Sequence, residues 1–198
     1  MPTLKDFFED LQNREGQQYR ELIHSWSPEL RDSIVSAFEK AVSDVDVKGS
    51  ICPIKPRSTN QSAGNQVEKY IVPKLDSGLS GFSISKCRGS GYPDQILIQH
   101  TPRLQIPLEM KATSKWNEKD SNRRVITSSS KKLRRQFAAP IYHLLLTVLY
   151  SKQEEEDYAI IDTIRLDFIE PTTTVNIRLE ASVNHKILVD GYHYSKTI

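Results

Sequence analysis

Cysteine is nearly absent from this chain: Cys52 and Cys87 are the only two in 198 residues. They lie far apart with no clustered histidines, which excludes a disulfide framework, offers no zinc ligand set and suits a reducing compartment. Long apolar runs are missing as well, so no segment reads as a membrane span. The opening Met1-Pro2-Thr3-Leu4-Lys5-Asp6-Phe7-Phe8 carries no signal-peptide apolar stretch, and the expected location is the cytoplasm. Neither sign of charge dominates, with 27 Lys and Arg against 25 Asp and Glu and a net charge of +2. No internal repeat is visible, which excludes a solenoid.

What is present fits one domain over 1–198, large enough for a real core, with ordinary hydrophobic (37%) and charged (26%) content. The distribution of charge is more informative than its sum. From Lys111 to Gln136 there are nine basic residues and two acidic ones, a local excess of +7, whereas from Lys152 to Glu170 seven acidic residues face two basic. A solvated face accounts for such a block equally well, but a basic block beside an anionic site is also what a polyanionic substrate requires.

The most informative stretch is Tyr92-Pro93-Asp94-Gln95-Ile96-Leu97-Ile98-Gln99, followed after five residues by Gln105-Ile106-Pro107-Leu108-Glu109-Met110-Lys111. Both runs are short, apolar-rich and alternating, and they read as a β-hairpin folded at 100–103. Residues two apart on a strand share a face. Glu109 and Lys111 therefore project to one side while Leu108 and Met110 point to a core, and the hairpin brings Asp94 near Glu109. Two carboxylates and an ammonium converge at one end of a sheet. Hard divalent cations bind such oxygen ligands, Mg²⁺ using one or two carboxylates with waters and substrate phosphate. The flanking apolarity of Ile106, Leu108 and Met110 argues against an ordinary surface ion pair.

Around the hairpin the chain reads as follows. Leu4, Phe7, Phe8 and Leu11 predict a helix over 3–24, where His24 is expected to be structural. Ser27-Pro28-Glu29 starts a second helix, with Leu30, Ile34, Phe38 and Val42 every four residues to about Val45. Residues 52–62 read as a loop, 63–73 as a short helix stopped at Pro73, and 81–87 as a strand. Ser128 to Phe137 is a serine-capped helix stopped by Pro140, after about fifteen polar residues. The nearly all-apolar 141–150 reads as a strand covered on both faces, as does 158–161. Val175–Leu179 and Lys186–Val189 form a further hairpin.

Pro93-Asp94 followed by Glu109-Met110-Lys111 resembles the signature of the PD-(D/E)XK nuclease superfamily, and the order helix, three strands, helix, strand, strand over 62–164 is similar to its common core. A second acid–x–lysine triplet, Asp46-Val47-Lys48, lacks the preceding Pro-Asp. The resemblance implies an α/β fold with a central mixed β-sheet flanked by helices, a helical N-terminal subregion (1–50) and a C-terminal extension (165–198). It implies Asp94, Glu109 and Lys111 as catalytic residues. Glu68, on the helix before the first core strand, matches a glutamate that faces the metal site in many type II restriction endonucleases. Asp94, Glu109 and the carbonyl of Met110 would hold one or two Mg²⁺ ions.

The implied activity is that of a type II restriction endonuclease, hydrolysing phosphodiesters in both strands of duplex DNA at a short site. One active site per chain and a palindromic target call for a homodimer, and a cognate DNA methyltransferase is the expected genetic partner in a bacterium or archaeon. Lys115, Asn117, Asn122, Arg123, Arg124, Ser128, Ser129, Ser130 and Lys131 leave the active-site strand directly and are candidates for DNA contact. Arginine pairs with guanine and asparagine with adenine at base edges. Lys131, Lys132, Arg134 and Arg135 suit phosphates or a solvated helix face, Trp116 a core anchor or a stacking group, and Arg57 and Asn60 a second contact loop. The alternatives are a structure- or mismatch-specific repair or recombination nuclease and, in a different class, a non-cleaving DNA-binding protein on the same fold.

Overall fold

The computed structural model describes residues 3–14, 22–89, 92–114, 125–127, 130–152, 157–179, 185–190 and 194–198. Its elements run α1 (Leu4–Arg14), α2 (Pro28–Asp44), β1 (Ile51–Pro53), α3 (Asn60–Gly78), β2 (Phe82–Lys86), β3 (Gln95–Gln99), β4 (Leu104–Thr113), β5 (Val125–Thr127), α4 (Ser130–Gln136), β6 (His143–Lys152), β7 (Tyr158–Ile169), β8 (Thr174–Leu179), β9 (His185–Asp190) and β10 (Tyr194–Thr197). The protein is α/β, with a mixed seven-stranded sheet flanked by helices. The strand order is β1-β7-β6-β4-β3-β2, with β10 also on β7.

Strands β2, β3 and β4 form an antiparallel meander, with Gln95 opposite Leu108 and Gln99 opposite Leu104 across the expected hairpin. Next to it, β4 and β6 are parallel, Glu109 lying beside Leu145 and Lys111 beside Thr147. A parallel pair needs a long crossover, and the chain from Thr113 to His143, which includes β5 and α4, supplies it.

Strand alternation divides the core in two. Ile106, Leu108 and Met110 point from β4 into a cluster with α2 and α3, whose Ile34, Phe38, Val67, Ile71 and Leu75 are buried. On the opposite face Leu4, Phe7 and Phe8 of α1 and Leu133 of α4 pack with Tyr92, Phe137 and Ile141. Strand β6, covered on both faces, is buried over six consecutive residues from its start, as its apolarity leads one to expect.

Several boundaries differ from the sequence reading. Residues 22–27 are not helical, although the periodicity predicts a helix to 24. Their polar groups are claimed by the sheet instead: the His24 N–H donates to the Ile141 carbonyl at 2.7 Å and the Trp26 indole to the Ile169 carbonyl at 3.1 Å. The start of α2 is as expected, the Ser27 hydroxyl accepting from the Leu30 N–H at 3.2 Å. Helix α3 is longer than 63–73 at both ends. Thr59 caps it, accepting from the Ser62 N–H at 3.2 Å, and Pro73 lies inside it. Burial of Ile71 and Leu75 on either side of Pro73 outweighs the hydrogen bond that the proline removes. The expected loop from 52 holds β1, and β7 runs eight residues past 161 to Ile169. The C-terminal hairpin is present as β8–β9, but β5 joins it to make a three-stranded sheet, and β10 returns to the main sheet. Neither β5 nor β10 has the alternation that marks a strand.

Behind the meander a buried polar chain ties the layers together. The His143 Nε2 lies 2.7 Å from the Leu22 carbonyl, which can only accept, so Nε2 carries the proton and Nδ1 accepts from the Tyr92 hydroxyl at 2.5 Å. The ring lies stacked between Phe8 and Tyr92. Burial pulls the His143 pKa down to about 4 from 6.5, so its stabilisation is present above about 6.5 and lost as pH falls towards 4. The stability difference between wild type and His143→Gln, measured by urea unfolding, should therefore shrink by about 3 kcal/mol between pH 7 and pH 4. A constant difference would show that the ring titrates in the fold as it does in the unfolded chain.

Helix α3 approaches β4 closely at Gly64, where an added Cβ would stand 3.1 Å from the Ala112 carbonyl oxygen. Gly64→Leu should cost about 1–3 kcal/mol in the same assay. It should also push α3, and the Glu68 one turn along it, away from the strand.

Candidate functional site

The C-terminal half of β4 carries the site. Glu109 and Lys111 lie on the face opposite Leu108 and Met110, and the Glu109 side chain is only 5% exposed. Its Oε1 accepts from the Lys111 ammonium, and its Oε2 accepts from the Asp94 main-chain N–H at 3.2 Å. The Asp94 carboxylate, half exposed, stands 4.0 Å from the Lys111 Nζ. The hairpin thus brings together the three residues that the sequence pairs across fourteen intervening positions.

Glu68 arrives from a different element. Gly64 and Glu68 are one helical turn apart on α3 and share a face. The close approach at Gly64 sets Glu68 against the end of β4, where it accepts a hydrogen bond from the Ala112 main chain. Burial first, and then the neighbouring Asp94 and Glu109, push its carboxyl up to about 7 against the opposing pull of Lys111. Glu109 is raised too, by burial and by Asp94, with Lys111 opposing. Burial pulls the Lys111 ammonium down, but Glu109, Asp94 and Glu68 together outweigh it and hold its pKa above the ordinary lysine value. In the metal-free protein Lys111 is a fixed positive charge.

Three carboxyls around one ammonium leave an excess of negative charge at a half-buried end of the sheet, the condition a hard cation relieves. Among the described residues no three His, Cys, Asp or Glu side chains are arranged to hold an ion by themselves. Mg²⁺ makes no such demand, since one or two carboxylates suffice when water and substrate phosphate complete the shell. Asp94 and Glu109 fit that donor set. The Met110 side chain is 1% exposed in the α2–α3 core, so only its carbonyl is available as a ligand.

The DNA-contact candidates are less well placed. Lys115, Trp116, Asn117, Asn122, Arg123, Arg124, Ser128 and Ser129 lie outside the described residues. Ser130, Lys131 and Arg134 are on α4, with their side chains outside the description. Arg57 is exposed, with φ of 54°. It sits in a loop fastened from below: the Lys152 ammonium donates to the Ser58 carbonyl at 2.6 Å and the Tyr150 hydroxyl to the Asn60 carbonyl at 3.2 Å. Asn60 opens α3, about 12 Å along the helix axis from Glu68.

Two features escaped the sequence reading. Lys132, there assigned to phosphates or a solvated face, is instead buried. Its ammonium donates to the Pro93 carbonyl at 2.7 Å and the Gly89 carbonyl at 3.2 Å, and nothing in a Lys-Lys-Leu-Arg-Arg run marks one lysine as internal. The second is Arg165–Asp167, joined at 2.7 Å and 2.9 Å. Leu145 pairs with both Glu109 and Asp167, and Thr147 with both Lys111 and Arg165. The two ion pairs therefore share one sheet face, about 10 Å apart. The signal was available, since an acid and a base two apart in an apolar strand is the pattern of Glu109 and Lys111.

The raised Glu68 carboxyl has a consequence for stability. Its folded value of about 7 lies above the ordinary 4.5, so the folded state holds a proton that the unfolded chain releases. The corresponding stability is present below about 4.5 and lost as pH rises through 7. In metal-free protein, Glu68→Gln should gain about 2–3 kcal/mol relative to wild type between pH 4.5 and pH 8, read by urea unfolding. A difference independent of pH would place Glu68 in solvent.

No family model, curated protein or solved structure matches this chain, so the chemistry of these residues rests on their own geometry.

Proposed function

We propose that this protein is a Mg²⁺-dependent endonuclease of the PD-(D/E)XK kind, acting on duplex DNA as a type II restriction enzyme. The observation that carries the reading is the convergence of Asp94, Glu109, Lys111 and Glu68 from a loop, a strand and a helix on one half-buried end of a sheet. An ordinary ion pair would not collect two further carboxyls, one of which, Glu68, is desolvated there.

Asp94 and Glu109, with the Met110 carbonyl, would hold Mg²⁺. When bound, the metal supplies Lewis acidity towards the phosphoryl oxygens and lowers the pKa of water near it. Lys111 lies within reach of the same pocket and remains an ammonium, so its role is to stabilise negative charge on the phosphoryl oxygens as the attacking oxygen adds. Its raised pKa speaks against removal of a proton from water. Glu68, poised near neutrality, is the carboxyl suited to accept that proton. Asp94 anchors Glu109 through its own N–H, so the two metal-binding groups are positioned together.

Substrate affinity would come from the basic excess between Lys111 and Gln136, with Arg57 as a further contact. Salt-sensitive phosphate contacts would position the duplex, and asparagine and arginine side chains of that segment would read bases. A two-fold dimer would present one site to each strand, and a methyltransferase of matching specificity would protect the host.

Digestion of plasmid and phage DNA with and without Mg²⁺ tests this directly. Wild type should give discrete fragments only with the metal, and Asp94→Ala and Lys111→Ala should each lose at least about 100-fold in rate. Smearing, or nicking confined to branched or mismatched DNA, would point to a repair nuclease. DNA binding with no cleavage in any divalent metal would refute catalysis.

A further inference from the structure

Asp94 does not sit on a strand. It follows β2 by a connection running from Cys87 to Asp94, and its carboxylate is half exposed. An arm of this kind needs an external support to place a ligand within a few tenths of an ångström, and α4 reaches it at both ends. Lys132 donates to the carbonyls of Pro93, at 2.7 Å, and Gly89, at 3.2 Å. One turn further on, the Gln136 side-chain amide donates to the Arg88 carbonyl at 2.7 Å, and its oxygen accepts from the Cys87 thiol at 3.0 Å. Helix α4 is itself fixed by Leu133, which lies between the two and is fully buried in the second core.

We infer that Lys132 is a positioning residue for the metal site, with Gln136 as its second anchor, and that α4 clamps the arm bearing Asp94 in the pose that binds a divalent cation. The inference rests on the metal-site reading above and adds a control element to it. A buried ammonium is costly to desolvate, and here it is spent on main-chain carbonyls of the segment that ends in Pro93-Asp94. An apolar residue would fill the same space in the core without orienting the arm.

The test is Mn²⁺ binding to the metal-free protein, read by the electron paramagnetic resonance signal of free Mn²⁺, with no DNA and no turnover. Lys132→Met should weaken binding by about 10-fold or more, while Lys132→Arg, which keeps the donors, should stay within about three-fold of wild type. A merely structural lysine would lower thermal stability without moving the Mn²⁺ affinity. Binding by folded Lys132→Met within about two-fold of wild type would overturn the clamp. Should Lys132→Met not fold, Gln136→Leu, which removes the contact with Arg88, decides the matter: about three-fold weaker binding supports the clamp and an unchanged affinity overturns it. Wild-type protein that binds no Mn²⁺ would overturn the metal-site reading and the clamp together, which distinguishes that failure from failure of the clamp alone.

Discussion

A carboxylate as buried as Glu109 cannot remain charged within a sheet unless a cation and hydrogen-bond donors surround it. Lys111, two residues along the same strand, supplies the cation, and the Asp94 N–H supplies a donor. This one requirement ties the hairpin, the strand register and the arm before β3 to each other. A slip of one residue in β4 would send Glu109 and Lys111 into the α2–α3 core and Leu108 and Met110 to the charged face. The register is therefore set by charge on one side and by apolar packing on the other.

Around that pair the helices serve different ends. Helix α3 comes close to β4 because Gly64 has no side chain to obstruct the Ala112 carbonyl, and the approach delivers Glu68 one turn later. Helix α4 is short, and its buried face combines Leu133 with the Lys132 ammonium. The Tyr92–His143–Leu22 chain stiffens the layer beneath the Asp94 arm without exposing a polar atom to the apolar core.

The electrostatics of the site are those that the proposed metal-dependent reading calls for. Burial and then Asp94 raise both Glu68 and Glu109, Glu109 adding to the rise of Glu68, and the three carboxyls together raise Lys111. A cation would relieve the carboxyls, and a phosphodiester would bring its charge to the ammonium. The second ion pair, Arg165–Asp167, lies on the same sheet face in matching register. Its Nε and Nη2 both donate to the one Asp167 Oδ1, so this face carries a second charge pair.

The sequence by itself determined what short-range rules can decide. Alternation placed Glu109 and Lys111 on one face, apolarity buried β6, and the Ser27-Pro28 cap started α2, because these depend on residues a few positions apart. Glu68 and Asp94 were legible as candidates from the order of elements and the resemblance to a nuclease signature. Only the tertiary structure decided that Gly64 admits α3 to the strand, that Pro73 stays inside a helix, and that residues 22–24 lie outside the expected helix, with His24 bonded to Ile141. It also turned Lys132 from a surface charge into an internal support. In each case the partner lies far away in the chain, and no local pattern encodes a hydrogen bond or a close approach to a group that only folding brings near.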